Sequence, residues 1–261
     1  MRRLALALAC GALGGWLGPV APLAAQGLDL EDISLTIHAG QEFPVLGELT
    51  QSASTPAFTE TITDDDGNEV ETETFRAAEF QSLDWGDAFE NFRTLGAELD
   101  FWEDSRRSLY LGASFTRAKG QNASLGTYDG ADLRADFSDY KDTSFYAGFR
   151  WGESFHSLFK SLLSLQVGAT VVDDISAEVD NIPELNNLTF YKRSTVFEVG
   201  GLVSFLLTPT DFLEAGVQTG LTYQTAVSGD DQQLSELNLS AANGAGALGF
   251  VPVRALVRIR Y

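Results

Sequence analysis

Hydrophobic and polar positions alternate with a period of two in eight stretches of this chain, the spacing of β-strands that set one face in an apolar medium and the other in a polar one. The plainest runs to the last residue. Its odd positions carry Val251, Val253, Ala255, Val257, Ile259 and Tyr261, and its even positions include Arg254, Arg258 and Arg260. The same alternation fills residues 33–41, 92–102, 109–117, 144–151, 163–171, 195–205 and 212–223. Seven of the eight place a glycine in the polar row: Gly40, Gly96, Gly112, Gly148, Gly168, Gly200 and Gly216. Glycine weakens an ordinary strand, so its recurrence points to a crowded interior that admits only small groups at those positions.

The connections alternate in length. Residues 103–108, 152–162 and 208–211 are short joins, the second with a helical turn expected over 154–162. Residues 42–91, 118–143, 172–194 and 224–249 are long. With an even number of strands, both ends of the chain fall on the short-turn side. Phe101, Trp102, Phe149, Trp151 and Tyr261 gather at that side, and Phe43, Phe92, Phe115, Tyr223 and Phe250 at the other, as two interfacial girdles would.

Composition and charge narrow the class. The 261 residues carry a net charge of -20, which argues against a nucleic-acid partner, because phosphate binding needs clustered Lys and Arg. Residues 1–25 read as a secretory signal peptide: Arg2 and Arg3, an apolar run over 4–17, and small residues at Ala24 and Ala25. Cys10, the one cysteine, lies within that leader, so residues 26–261 hold neither a disulfide nor a thiol catalyst. Past the leader no run approaches the roughly 18 apolar residues of a spanning helix. A membrane form must then be a closed barrel, which alone leaves no strand edge unpaired in lipid. The expected fold is all-β, an eight-stranded antiparallel up-and-down transmembrane barrel. A lipocalin-like soluble barrel, with the alternation running inside out, is the rival, but it would put large apolar residues rather than Gly, Ser and Thr in the interior row.

Leader, alternating strands, loop asymmetry and terminal aromatic together resemble the small eight-stranded outer-membrane β-barrel proteins of bacteria, OmpA-like or OmpX-like in the barrel. The resemblance implies export through the periplasm to the outer membrane, periplasmic short turns and extracellular long loops. It also implies contact with outer-membrane lipids and reading of Tyr261, as an assembly signal in the final strand, by the barrel assembly machinery.

The polar row carries Glu98, Asp100, Arg150, Glu198, Glu214, Arg254, Arg258 and Arg260. Charges in a narrow interior must be paired, because each unpaired one costs several kcal/mol. Glu214 and Arg258 fall at similar depth on neighbouring strands, and Asp32 is placed to meet Arg258 or Arg260 across the closing seam. The expected consequence is a salt-bridge network that plugs the barrel, since eight strands leave little lumen; a narrow porin-like channel is the alternative. An outer-membrane lipid-modifying enzyme would need a Ser/His/acid set at the outer edge. The chain offers only His38, in the polar row, and His156, in a short turn, so a non-catalytic protein is expected.

The first loop holds a near-symmetric run over 59–74 centred on Asp66-Gly67, a hairpin signal. Asp64, Asp65, Asp66 and Glu69 lack the later ligands of a calcium loop and read as a solvated acidic turn. No metal or cofactor is expected. The long loops carry most of the acidic residues, and Phe80, Trp85 and Phe89 are either contact aromatics for an unidentified surface ligand or packing beneath the loop. A structural or surface-interaction role follows from this reading.

Overall fold

Strand alternation closes on itself. The computed structural model describes residues 33–63, 69–101, 106–156, 158–179, 187–229 and 240–261; the leader, Asp32, Trp102 and the 64–66 turn lie outside them. The barrel strands are β1 (Ser34–Leu46), β2 (Phe89–Phe101), β3 (Arg107–Gly120), β4 (Tyr140–His156), β5 (Phe159–Val172), β6 (Ser194–Thr210), β7 (Leu213–Gln224) and β8 (Leu248–Arg260). Each pairs antiparallel with its neighbour in sequence, and β1 closes against β8 from Ser34↔Arg260 to Leu46↔Gly249.

Burial separates the two readings of the alternation. Leu95, Leu165 and Ile37 are 60%, 58% and 49% exposed, whereas Glu98, Asp100 and Glu214 are at most 1% exposed. The large apolar row faces outward and the charged row inward, the reverse of a soluble barrel. The glycines of the inner row have a steric cause. A β-carbon on Gly96 would overlap the His38 imidazole, one on Gly112 the Tyr146 ring, and one on Gly148 the Tyr110 ring.

Several strands outrun the alternation that announced them. β4 and β5 continue to the pairs Ser154↔Lys160 and His156↔Phe159, so residues 154–162 form a tight hairpin end, not a helical turn. The outward row persists through Phe155 and Phe159, and the ladder between the two strands continues to His156↔Phe159 with an irregular step between Ser154 and His156.

The long connections form a second structure. Segments from three of them make a six-stranded sheet in the order Leu188–Tyr191, Ile175–Val179, Ala131–Phe137, Asn122–Tyr128, Ala78–Phe80 and Ala53–Thr55. A one-turn helix, α1 (Trp85–Ala88), leads into β2. Phe58–Thr63 and Glu69–Phe75 pair only with each other as a ribbon. Beneath the sheet lies a continuous apolar core that includes Phe80, Trp85, Phe89, Phe137, Phe190 and Phe250. Trp85 sits 5.8 Å from Tyr140, and Phe92 sits 5.4 Å from Phe250, both edge-on. Phe92 and Phe250 therefore belong to this cap and not to an exterior girdle; Phe43, Phe115 and Tyr223 do face outward. Phe80, Trp85 and Phe89 are each 1% exposed, packed under the loop, not offered at the surface.

Candidate functional site

Inward-facing polar side chains meet because the interior is too narrow to keep them apart. At its centre Arg150 from β4 reaches across to β2. Its NH1 donates to both oxygens of Asp100 at 2.6 and 2.8 Å, and its NH2 donates to Glu98 at 2.5 Å. Nε donates to Ser164 at 3.1 Å, and the guanidinium lies 4.2 Å from the centre of the Tyr110 ring. One fork thus holds two carboxylates in a space where either, left alone, would carry a large desolvation cost. Ser108 adds a hydrogen bond to Asp100 at 2.9 Å.

Towards the loop side, Tyr146 donates to Glu98 at 3.2 Å, and His38 Nε2 lies 3.0 Å from the same phenol oxygen. With the phenol proton directed at Glu98, the imidazole Nε2–H is the donor in the second contact. His38 is therefore a buried hydrogen-bonded member of the interior. Arg254 on β8 pairs with Glu42 on β1. Glu198 accepts from Gln166 at 2.9 Å, Thr170 at 2.8 Å, Ser144 at 3.0 Å and Gln224 at 3.3 Å. Those four donors are neutral, and among the described residues no salt bridge joins Glu198 to a cation.

Towards the short turns, Arg258 NH1 donates to Glu214 at 3.1 Å, on the register pair Glu214↔Arg258. Its Nε donates to Ser34 at 2.9 Å, and its NH2 lies 3.5 Å from Asp100, which links this cluster to Arg150. Lys160 and Arg260 stand 3.8 and 3.7 Å from the other oxygen of Glu214.

Of the charged residues singled out in the sequence, Glu98, Asp100, Arg150, Glu214, Arg258 and Arg260 form one connected cluster. Arg254 forms a second, Glu198 is held apart from both, and Asp32 lies outside the described residues. Sequence reasoning missed Glu42, Lys160, Gln166 and the two tyrosines as partners. Glu42 continues the even row of His38 and Gly40, and following that row past residue 41 would have found it. Tyr261 follows β8 directly, and its N–H bonds Ile33 O at 3.1 Å, tying the two ends of the strand system together.

Most of the interior charges are paired with one another, Glu198 is held by neutral donors, and an apolar core lies at the loop-side end. Among the described residues, His38 has Tyr146 and Glu98 about it and no hydrogen-bonded serine. His156 lies at the short-turn rim, where it lines an open cleft.

Three solved structures align with most of the chain. They are the Neisserial surface protein A, at 12% identity over 90% of this chain and 100% of that one, TM-score 0.42; Ail, the attachment invasion locus protein of Yersinia pestis, at 10% over 87% and 97%, TM-score 0.35; and the outer membrane protease OmpT of Escherichia coli, at 10% over 91% and 99%, TM-score 0.36. No protein-family model and no curated protein matches the sequence.

Proposed function

We propose that this chain is a non-catalytic barrel of the bacterial outer membrane, plugged along its axis by ion pairs and closed on the outside by a folded cap of its long loops. The barrel spans the bilayer, and its acidic loops form the surface presented to the exterior. The observation that carries the reading is the inverted burial: exposed Leu95 and Leu165 on the outer face of the same wall that buries Glu98, Asp100 and Glu214. Aqueous solvent would make that exterior cohere with other copies, whereas hydrocarbon solvates it.

The test is refolding of residues 26–261 from urea into detergent. The expected product migrates faster unboiled than boiled on a gel, inserts into planar bilayers, and leaves their conductance at baseline. Identical migration in both states would remove the barrel from the membrane. Steady, size-selective current would replace the plug with a pore. Turnover of added phospholipid or lipid A would make the protein an enzyme.

Tyr261 serves as the assembly signal in this reading, its aromatic ring at the rim being what the barrel assembly machinery engages. Removal of Tyr261 is expected to lower the amount of folded barrel in cells several-fold while the protein still refolds in detergent. Normal insertion in cells without Tyr261 would end that assignment.

A further inference from the structure

The outward face of the wall changes character at its loop-side end. Arg93 on β2, Arg117 on β3 and Lys141 on β4 continue the exterior rows of Leu95, Phe115 and Phe145, and all three are exposed. They are register neighbours, Arg93↔Arg117 and Arg117↔Lys141, so three cations stand side by side on adjacent strands. Lys119, two residues beyond Arg117, adds another on the same face. Like charges directly opposite one another on a sheet are destabilising, and the neighbouring acids offset only part of this. Asp139 accepts from Arg117 at 2.5 Å and also lies in the field of Lys141. Glu90 is the register partner of Lys119. Asp173, whose N–H bonds Lys141 O, is engaged by Arg193 at 3.7 Å. Among the described residues, the side chains of Arg93, Lys119 and Lys141 take part in no hydrogen bond or salt bridge. On a chain of net charge -20, this patch runs against the prevailing sign.

We infer that the patch binds a lipid of the leaflet facing the long loops, one whose head group carries two phosphates. Directly below the cations lie the exposed Leu95, Phe115 and Phe145, so acyl chains rest on that surface while phosphates meet the charges at its upper edge. Arg93 and Lys141 are two interstrand spacings apart, roughly 10 Å. That is wider than one phosphate, and it selects a head group with two. Arg93 and Arg117 offer planar forks to phosphate oxygens, and Lys119 and Lys141 add point charges. Gln41, exposed and in register with Arg93, ends the row with a neutral hydrogen-bonding group. Bound phosphate would relieve the repulsion that the row carries by itself.

The inference rests on the membrane reading above, and the experiment separates the two. The full chain is refolded in detergent and checked for heat-modifiable migration before any lipid is added; a chain lacking the compact unboiled form fails the membrane reading. The compact barrel is then mixed with limiting lipid A, carrying two phosphates or none, and examined by native mass spectrometry.

The expected result is a one-to-one adduct with the bisphosphorylated lipid A, weakened about thirtyfold in Arg93→Gln/Lys141→Gln, as the loss of two basic side chains at an anionic lipid surface implies. Without lipid, that variant should unfold in urea at the same midpoint as the parent or a higher one, since it removes repulsion; a lower midpoint would make the row structural and overturn the site. The double substitution Arg76→Gln/Arg134→Gln on the cap, which changes net charge equally, should leave the adduct unaltered. Equal retention of the phosphate-free lipid, or equal loss in the cap variant, overturns the site. A rise in melting temperature with inorganic phosphate equal to that with lipid A assigns the patch to a soluble anion and overturns the lipid.

Discussion

Arg150 is the residue on which the barrel interior depends most. It holds both Glu98 and Asp100, so Arg150→Ala leaves two buried carboxylates facing each other, a loss expected to cost about 3–5 kcal/mol. Urea unfolding of the refolded barrel, followed by tryptophan fluorescence, measures it; a midpoint equal to the parent's would show that these charges are not held as described. Gly96→Ala is expected to destabilise by about 1–3 kcal/mol in the same assay, because its methyl must displace the His38 ring or the wall. In the cap, Tyr191 donates its hydroxyl to Leu49 O, and burial holds its phenol above the ordinary range. Its contribution is intact below about pH 10, where the unfolded tyrosine is still neutral, and is lost as pH rises further. Tyr191→Phe should flatten the alkaline fall in cap stability read by hydrogen exchange; an unchanged fall would place its cause elsewhere. At this scale the sequence was partly legible. Glu214 and Arg258 could be matched because each lies a similar distance from a short turn. The partner of Arg254 could not, since it depended on where β1 ends, and Glu198 drew neutral donors because register across long strands is set by packing that no single strand reveals.

The barrel strands were legible as elements because their two faces meet different media, and that difference is written in every second residue. The cap strands were not. Ala53–Thr55, Ala78–Phe80 and Leu188–Tyr191 span three or four residues, too few for periodicity to separate from chance. Their core is drawn from three connections at once, so no one loop displays it. Asn91 marks the join between cap and barrel: it takes a left-handed conformation at φ 56, beside the irregular step between Glu90 and Arg93. Asparagine tolerates that region better than most residues. Trp85→Ala should cost the cap about 3–5 kcal/mol and open the long loops to trypsin, while the barrel keeps its unboiled migration. Loss of that migration as well would mean that cap and barrel fold as one unit. By contrast, replacing residues 58–75 with a short Gly-Ser link should shift the melting temperature little, since that ribbon pairs only with itself.

At the level of the whole molecule, one chain solves two opposite solvation problems. Its wall exposes Leu and Phe and buries Glu and Arg, while its cap does the reverse, as any soluble domain does. Architecture follows from the wall, and a repeating wall is easy to read; the chemistry of the rims comes from residues scattered over several turns, which is why Lys160 escaped notice. The sheet above the mouth also joins connections that would otherwise belong to separate hairpins. Residues 53–55 and 78–80 arrive from between β1 and β2, residues 122–137 from between β3 and β4, and residues 175–179 and 188–191 from between β5 and β6. No pair of adjacent wall strands on that arc can therefore peel away without first tearing a sheet shared with the others. Departure of one hairpin must wait for rupture of the whole seam, so the protein's persistence is governed by the height of that barrier and by the slowness of crossing it, more than by the equilibrium worth of any single contact.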